Sequence, residues 1–193
     1  MLNDQTIVVP QYYVRIKTES EKLGFNMLSD LQTGSLLRTL AASKPVGRFL
    51  ELGTGTGLSL AWLVEGADRT SSIYSVDNNA SWQSVAKSVF EAEERINFYC
   101  EDGNEWLQNY KGEQFDLIFA DAWPGKFDNL DAALQLVKPG GFYLIDDLSP
   151  QPNWPQGHQQ NVDQLIDVLQ AKTDFVQTTF NWSTGLILFT RIK

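Results

Sequence analysis

Short apolar runs alternate with segments of helical spacing along most of the chain. Five of these runs end at a polar turn and predict buried parallel strands, at residues 49–52, 72–76, 96–100, 115–120 and 142–145. After the first run, the inner face of a helix is predicted by Leu58, Leu60, Ala61, Leu63 and Val64. This alternation of strand and helix predicts an α/β fold with a mostly parallel, doubly wound sheet.

The remaining segments complete the predicted architecture. Helical spacing predicts further helices at residues 29–42, 85–95, 127–137 and 161–171, and the run Lys138-Pro139-Gly140-Gly141 predicts a tight turn. Near the end of the chain, the runs DFVQTTF and LILFTRI are separated by NWSTG, which is typical of a β-hairpin and brings the sheet to seven strands. Residues 149–157 predict a loop, and residues 1–24 an arm or a short helix packed on a neighbour.

Length and composition limit the domain organisation and the partners. With 193 residues, of which 42% are hydrophobic, the chain can bury one sizeable core. No shift in composition marks a second domain, so we expect one domain over residues 1–193, with a helical N-terminal cover at 1–45 and an α/β core at 46–193. A net charge of −9 and scattered Lys and Arg residues argue against a nucleic-acid partner. A small-molecule or protein substrate is favoured.

Cysteine usage and the lack of a leader pattern indicate the compartment. Cys100 is the sole cysteine, so an intrachain disulfide is excluded, and we expect this residue to pack in a core strand of a protein from a reducing compartment. The first residues lack a basic segment followed by a long apolar one, and no run of about 18 apolar residues occurs. We therefore expect a soluble, cytoplasmic protein that does not bind a membrane.

Three glycines at alternate positions join the first strand to the first helix of the sheet. Gly53, Gly55 and Gly57 allow a sharp turn and the close approach of a ligand to the backbone. A dinucleotide-binding turn requires G-x-G-x-x-G, and Leu58 stands where its third glycine would fall. The Glu51 carboxylate would be repelled by a pyrophosphate and would attract a cationic amino group. A nucleotide-like ligand other than a dinucleotide is favoured, and the alternative is a glycine-rich turn without a ligand.

The segment from Glu51 to Gly57 resembles the E-x-G-x-G-x-G motif of class I S-adenosylmethionine-dependent methyltransferases. The predicted turn at Lys138 to Gly141 strengthens the resemblance, which extends over residues 29–148. The resemblance implies a Rossmann-like seven-stranded sheet whose last strand is antiparallel. It also implies that Glu51 and the glycine turn hold the methionine end of the cofactor, and that the loop before the predicted helix at 29–42 closes over it.

An acidic residue at the end of the second predicted strand suits the ribose of such a cofactor. Asp77 lies 24 residues after Gly53, near the spacing of about 20 residues at which nucleotide-binding units place a ribose-binding carboxylate. The family resemblance implies that Asp102 meets the adenine amino group, although an Asp before a glycine is also typical of a plain turn. The residues predicted to bind cofactor are Glu51, Gly53, Thr54, Gly55, Gly57, Ser59, Asp77, Asn78, Asp102, Gly103 and Asp121.

Carboxylates concentrate at the ends of the predicted strands, where ligands bind in open parallel sheets. Asp121 follows the fourth strand, and Asp146 and Asp147 follow the fifth. Neighbouring carboxylates repel one another unless a cation neutralises them, and oxygen ligands suit Mg²⁺, Mn²⁺ or Ca²⁺. The chain resembles the catechol-type O-methyltransferases, which hold a metal with an Asp after the fourth strand and an Asp-Asn pair after the fifth. The sequence therefore allows a divalent metal at Asp121, Asp146 and Asp147.

The base that would accept the proton of the substrate does not match the family pattern. In the catechol-type family a lysine shortly after the metal-binding Asp is the base, but Pro124 occupies that place here. Lys126 lies two positions further on, where it is either a substitute base or a solvated loop residue. The predicted catalytic residues are thus Asp121 and Lys126.

Three loop residues are further candidates at the same edge of the sheet. Trp123 and Trp154 either form a wall of the acceptor pocket or pack on the core. His158 is the only histidine, and it is either a helix-start residue or a base on a mobile loop.

These observations predict methyl transfer from S-adenosylmethionine to a small-molecule acceptor, at oxygen, with a divalent metal allowed. The alternatives are metal-independent transfer to a nitrogen or carboxyl acceptor, and a protein that binds the cofactor without catalysis. A dehydrogenase is disfavoured by Leu58 and Glu51. The sequence allows a homodimer and leaves the oligomeric state open.

Overall fold

A mixed β-sheet forms the centre of the computed structural model, which describes residues 6–151 and 154–193. Within these residues the sheet has seven strands in the order β3-β2-β1-β4-β5-β7-β6. The strands are β1 (Arg48–Leu52), β2 (Ser72–Asp77), β3 (Ile96–Cys100), β4 (Phe115–Ala120), β5 (Val137–Ile145), β6 (Phe175–Phe180) and β7 (Leu186–Arg191). Strand β7 runs antiparallel to β5 and β6, whereas β1 to β5 are parallel. The predicted doubly wound, mostly parallel sheet and its C-terminal hairpin are confirmed.

Helices cover both faces of this sheet. They are α1 (Tyr13–Lys22), α2 (Leu31–Ala42), α3 (Leu58–Gly66), α4 (Ala80–Val89), α5 (Gly103–Asn109), α6 (Leu130–Gln135) and α7 (His158–Gln170). Helix α2 begins where the Asp30 side chain accepts hydrogen bonds from the N–H groups of Gln32 and Thr33, at 2.8 and 2.9 Å. The short helix α5 follows β3 directly and was not predicted from the apolar pattern.

Two predicted helices differ from the observed ones in their bounds. The helix expected at residues 85–95 is α4, which begins earlier because the Asn79 side chain accepts a hydrogen bond from the Trp82 N–H at 3.1 Å. The helix expected at residues 127–137 is the shorter α6. Its N-terminal cap, Asn129, has a left-handed backbone conformation with φ 53°, which prevents the helix from starting sooner.

The predicted tight turn at Lys138 to Gly141 is instead a distorted part of strand β5. Pairing between β4 and β5 shifts register between Phe115 and Leu117, and Gly140 has a φ of 76°. A bulge of this kind accommodates the extra residues without ending the strand. As a result β5 is nine residues long.

Apolar side chains of alternate strand residues form two cores, one on each face of the sheet. In β4, Leu117 and Phe119 pack with α1 to α4, whereas Ile118 and Ala120 pack with α5 to α7. Helix α3 is buried on every side from Leu58 to Val64, rather than on an inner face alone, because it lies between the sheet and α2.

The edge of the sheet explains one further difference. Cys100 is exposed, and the prediction that it packs in the core is wrong, because β3 is an edge strand with few buried residues. At the N-terminus, α1 packs on α3 and α4 and buries Ile16. The first five residues of the predicted N-terminal segment lie outside the described residues.

Candidate active site

A cavity of about 630 Å³ opens at the carboxyl ends of the parallel strands. It lies at the reversal of strand order, where β1 and β4 are neighbours and their crossovers pass to opposite faces of the sheet. The turns after β1 and β4 line its two sides, with Gly53 and Asp121 in its wall. Residues 25–30, which precede α2, form a third side. The loop expected to close over a cofactor therefore lies at this cavity.

Glycine is required in the turn after β1 mainly because neighbouring chain segments pack closely against it. Gly53 has a φ of 103°, and a Cβ there would lie 2.6 Å from the Asp121 carbonyl oxygen. Gly57 has a φ of 98°, and its Cβ would lie 2.8 Å from that of Ala86 in α4. Side chains are thus excluded by backbone conformation and by packing. Gly57 does not line the cavity, although we predicted that it binds cofactor.

Asp77 lies at the end of β2 and lines the cavity with Asn78. Its Oδ2 accepts a hydrogen bond from the Gly55 N–H at 2.7 Å, and its Oδ1 accepts one from the Asn79 N–H at 2.7 Å. These two bonds fix the orientation of the carboxylate against the glycine turn. Each oxygen keeps a second lone pair for a ligand hydroxyl.

Glu51 is fully buried beneath the turn and does not line the cavity. Its Oε1 accepts a hydrogen bond from Ser59 Oγ and its Oε2 one from Ser75 Oγ, both at 2.6 Å. Burial raises the pKa of Glu51 to about 7, against the lowering effect of the two serine hydroxyls. β1 places Glu51 inside the protein and away from the cavity surface, so its expected role in holding the methionine end of the cofactor stays a prediction.

A buried hydrogen-bond network continues from Glu51 to α4. Thr54 Oγ1 and Ser75 Oγ share a hydrogen bond of 2.6 Å, and Gln83 Nε2 donates to Thr54 Oγ1 at 3.2 Å. Thr54 and Ser59, two of the predicted cofactor residues, line the cavity while their hydroxyls point into this network. The network ties the turn to β2 and α4.

Asp102 caps helix α5 rather than facing the cavity. Its Oδ1 accepts hydrogen bonds from the N–H groups of Asn104 and Glu105, at 2.7 and 3.3 Å. In this arrangement the Asp side chain stabilises the start of a helix, which is a conformational role for an Asp before a glycine. Gly103 lines the cavity, and a Cβ there would lie 2.9 Å from the Pro124 side chain.

The cavity is also lined by Asp121, Asp146 and Asp147 together with Lys126. Burial and the neighbouring Asp146 raise the pKa of Asp121 well above its ordinary value. Burial and Asp147 raise the pKa of Asp146 to about 6. Lys126 lowers both pKa values, so it is the counter-charge of this acidic group.

Lys126 is buried, with 5% of its surface exposed, and is not a solvated loop residue. Its Nζ donates to the Asp146 carbonyl oxygen at 3.0 Å and lies 3.9 Å from Asp121 Oδ1. Of the two alternatives for this residue, the inward orientation is the one observed.

The three aspartates do not form the predicted metal site. In the part of the chain that the structure describes, no group of three or more His, Cys, Asp and Glu side chains is placed to hold a metal ion. Asp146 Oδ1 already accepts hydrogen bonds from the Asp147 N–H, at 2.7 Å, and from Thr184 Oγ1. One oxygen of the donor set that the sequence suggested is therefore engaged within the protein.

A cluster of rings around His158 also lines the cavity. The ring of His158 lies 4.6 Å from that of Trp154, 5.2 Å from that of Phe127 and 5.7 Å from that of Trp123. All four residues line the cavity. The expectation that Trp123 and Trp154 form a wall of this pocket agrees with their positions. Phe127 was missed because it lay within a predicted helix.

The sequence is similar to a methyltransferase family over the strands that build the cavity. A family model described as a methyltransferase domain matches residues 50–148, just over half of the chain. A curated protein of Mycolicibacterium vanbaalenii with a provisional O-methyltransferase name is 28% identical over 117 residues, which are 58% of this chain and 52% of that protein. One of Mycobacteroides abscessus with the same name is 30% identical over 117 residues, 58% of this chain and 54% of that protein. The chain thus spans about half the length of the curated relatives it matches.

Solved structures resemble the whole fold. The O-methyltransferase TomG of Streptomyces achromogenes, involved in tomaymycin synthesis and crystallised with S-adenosylmethionine, has a TM-score of 0.85 at 20% identity, over 97% of this chain and 92% of that one. An O-methyltransferase of Bacillus cereus in complex with S-adenosylhomocysteine has a TM-score of 0.82 at 20% identity, over 97% and 94% of the two chains. Rossmann-like architecture is confirmed. Among the described residues, no helix is long and apolar enough to cross a membrane.

Proposed function

Because the chain belongs to the methyltransferase-domain family, we propose that it transfers a methyl group from S-adenosylmethionine to an oxygen of a small-molecule acceptor. The observation that carries this proposal is one continuous cavity lined by two chemically different groups of residues. One group is the glycine turn with Asp77, and the other is Asp121, Lys126 and four aromatic or imidazole rings. A cofactor and an acceptor can therefore meet inside it.

The residues around Asp77 suit S-adenosylmethionine in hydrogen bonding and in apolar surface. Asp77 is fixed by two backbone N–H groups and can accept hydrogen bonds from ribose hydroxyls. Phe25 and Trp82 also line the cavity, with ring centroids 5.0 Å apart, and offer an apolar surface for a nucleobase. The carboxylates in the wall complement a cofactor that carries a sulfonium and an ammonium group.

Methyl transfer requires alignment and the loss of a proton from the acceptor. When bound, S-adenosylmethionine supplies a methyl group whose bond to sulfur breaks, with its electron pair passing to sulfur, as the bond to the acceptor oxygen forms. Asp121 can take the hydroxyl proton, since its raised pKa makes it a stronger base than an ordinary carboxylate. The rings of Trp123, Phe127, Trp154 and His158 hold the acceptor and exclude water.

Formation of S-adenosylhomocysteine with a panel of phenols, amines and carboxylic acids tests this proposal. We expect turnover with hydroxyl compounds. Turnover with amines or carboxylic acids alone would support the nitrogen or carboxyl alternative instead. Binding of S-adenosylmethionine without turnover on any acceptor would support a non-catalytic binding protein. The cytoplasmic location, the homodimer and the single domain over residues 1–193 stay predictions.

A further inference from the structure

The buried charge of Lys126 is held in place by the turn that precedes it. Gly125 has a φ of 84°, and its carbonyl oxygen accepts a hydrogen bond from the buried Tyr143 Oη at 2.6 Å. A second bond of 2.7 Å runs from the Gly125 N–H to the Asp128 carbonyl oxygen. A Cβ at Gly125 would lie 2.6 Å from the Leu52 side chain. The turn is therefore packed against β1 and β5, and Lys126 follows it into the cavity wall.

The surroundings of the ammonium group explain why it is stable there. Its Nζ donates to the Asp146 carbonyl oxygen at 3.0 Å and lies 3.9 Å from Asp121 Oδ1. A buried ammonium is costly unless a negative charge and hydrogen-bond acceptors lie close to it. Conversely, Asp121 and Asp146 repel each other unless a cation lies near both of them. The Lys126 ammonium and the carboxylates of Asp121 and Asp146 therefore stabilise one another.

A divalent ion at the same carboxylates would compete with hydrogen bonds at one ligand oxygen and would meet a like charge. Asp146 Oδ1 is engaged by the Asp147 N–H and by Thr184 Oγ1. An ion close enough to Asp121 for coordination would also lie within a few ångströms of the Lys126 ammonium. Repulsion between charges of +1 and +2 at that range is strong in a partly buried site.

We infer that the Lys126 ammonium is the resident cation of this site and occupies the place that the catechol-type resemblance assigns to a divalent metal. This inference rests on the proposed function for its catalytic meaning: the acceptor oxygen is held beside an ammonium group, and methyl transfer needs no added metal. Lys126 is then a positioning and charge-balancing residue, whereas Asp121 is the group that takes the proton.

Binding of Mn²⁺ tests the inference without any turnover. Free Mn²⁺ is measured by electron paramagnetic resonance during titration of the wild-type protein, Lys126→Met, Lys126→Arg and Lys138→Met. Lys138 is the matched control, because its Nζ forms a 2.8 Å ion pair with Asp116 away from the cavity. Circular dichroism and thermal melting establish that each variant is folded.

We expect Lys126→Met to bind Mn²⁺ at least about tenfold more tightly than the wild type, because an opposing charge is removed. Lys126→Arg, which keeps the charge, and Lys138→Met should bind like the wild type. Equal affinity in Lys126→Met and the wild type, including no binding by either, would overturn the inference. So would stoichiometric, tight Mn²⁺ binding by the wild type that Asp121→Asn abolishes.

Titration of the same samples with S-adenosylhomocysteine separates the two proposals. Absence of saturable cofactor binding would contradict the proposed function, while the comparison of Mn²⁺ affinities would still test the role of Lys126. Cofactor binding together with metal-dependent turnover would contradict the inference alone.

Discussion

Replacement of Glu51 by glutamine should change how the stability of the protein depends on pH. Glu51 is fully buried, and burial raises the pKa of its carboxyl group from 4.5 to about 7. Because the folded state binds a proton more tightly than the unfolded state, this carboxyl group favours folding at low pH. That contribution decreases as the pH rises from about 4.5 to about 7. Above this range the carboxyl group no longer changes the stability with pH. The shift in pKa corresponds to a contribution of ~3 kcal/mol to the free energy of unfolding at low pH, since one pKa unit is about 1.4 kcal/mol.

The amide side chain in Glu51→Gln carries no titratable proton, so the variant should lack this dependence. One of the two serine partners, Ser59 or Ser75, would face an amide N–H₂ instead of a carboxylate oxygen. That exchange costs about 1 kcal/mol at every pH. We expect the free energy of unfolding of the variant, relative to the wild type, to increase by about 2.5 kcal/mol between pH 5 and pH 8.

Urea denaturation followed by circular dichroism from pH 5 to pH 8.5 measures this difference. The control is Glu113→Gln, whose carboxylate is on a side chain that is 81% exposed. Asp121 and Asp146 titrate in both proteins, but the Glu51 carboxylate is one of the charges that raise the pKa of Asp121, so the comparison measures the Glu51 contribution together with this coupling. A difference between Glu51→Gln and the wild type that stays constant over this range would refute the assignment of Glu51 as a buried, proton-binding group.

Three further substitutions test the cavity. Asp77→Ala should weaken S-adenosylmethionine binding by about 1–3 kcal/mol in calorimetry, because ribose hydroxyls would lose their partner; unchanged affinity would mean that the ribose lies elsewhere. Gly55→Val should abolish that binding, since φ at this position is 50° and a Cβ would lie 2.8 Å from Phe25; a tight-binding variant would contradict the role of the turn. Asp121→Asn should reduce kcat by about 10²–10⁴-fold with less effect on cofactor affinity, and equal losses in stopped assays and calorimetry would argue against a proton-accepting role.

The parts of the fold that the sequence could predict are those set by local periodicity. Strand ends at Asp77 and Asp121 follow from apolar runs that stop at a polar residue, and the parallel sheet brings these ends to one edge. The same reasoning could not place Glu51, because spacing alone does not distinguish a buried carboxylate from one that faces a ligand. Its two serine partners come from α3, the helix that follows the glycine turn, and from β2, so the hydrogen bonds depend on how three elements pack together.

Long-range packing also decides the features that sequence reasoning missed. The inward orientation of Lys126 depends on a bond between Tyr143 and Gly125, which lie on different elements. The exposure of Cys100 depends on the position of β3 at the sheet edge. Helix α5 is short and is set by the Asp102 cap rather than by an apolar stripe. A glycine after an Asp at the end of a strand was the signal that could have indicated its start.

The most direct test of the proposed function is calorimetric titration of the wild-type protein with S-adenosylmethionine and, separately, with NAD. The cavity predicts saturable binding of one S-adenosylmethionine per chain and much weaker binding of NAD. Absence of saturable heat with S-adenosylmethionine, or a preference for NAD, would contradict it.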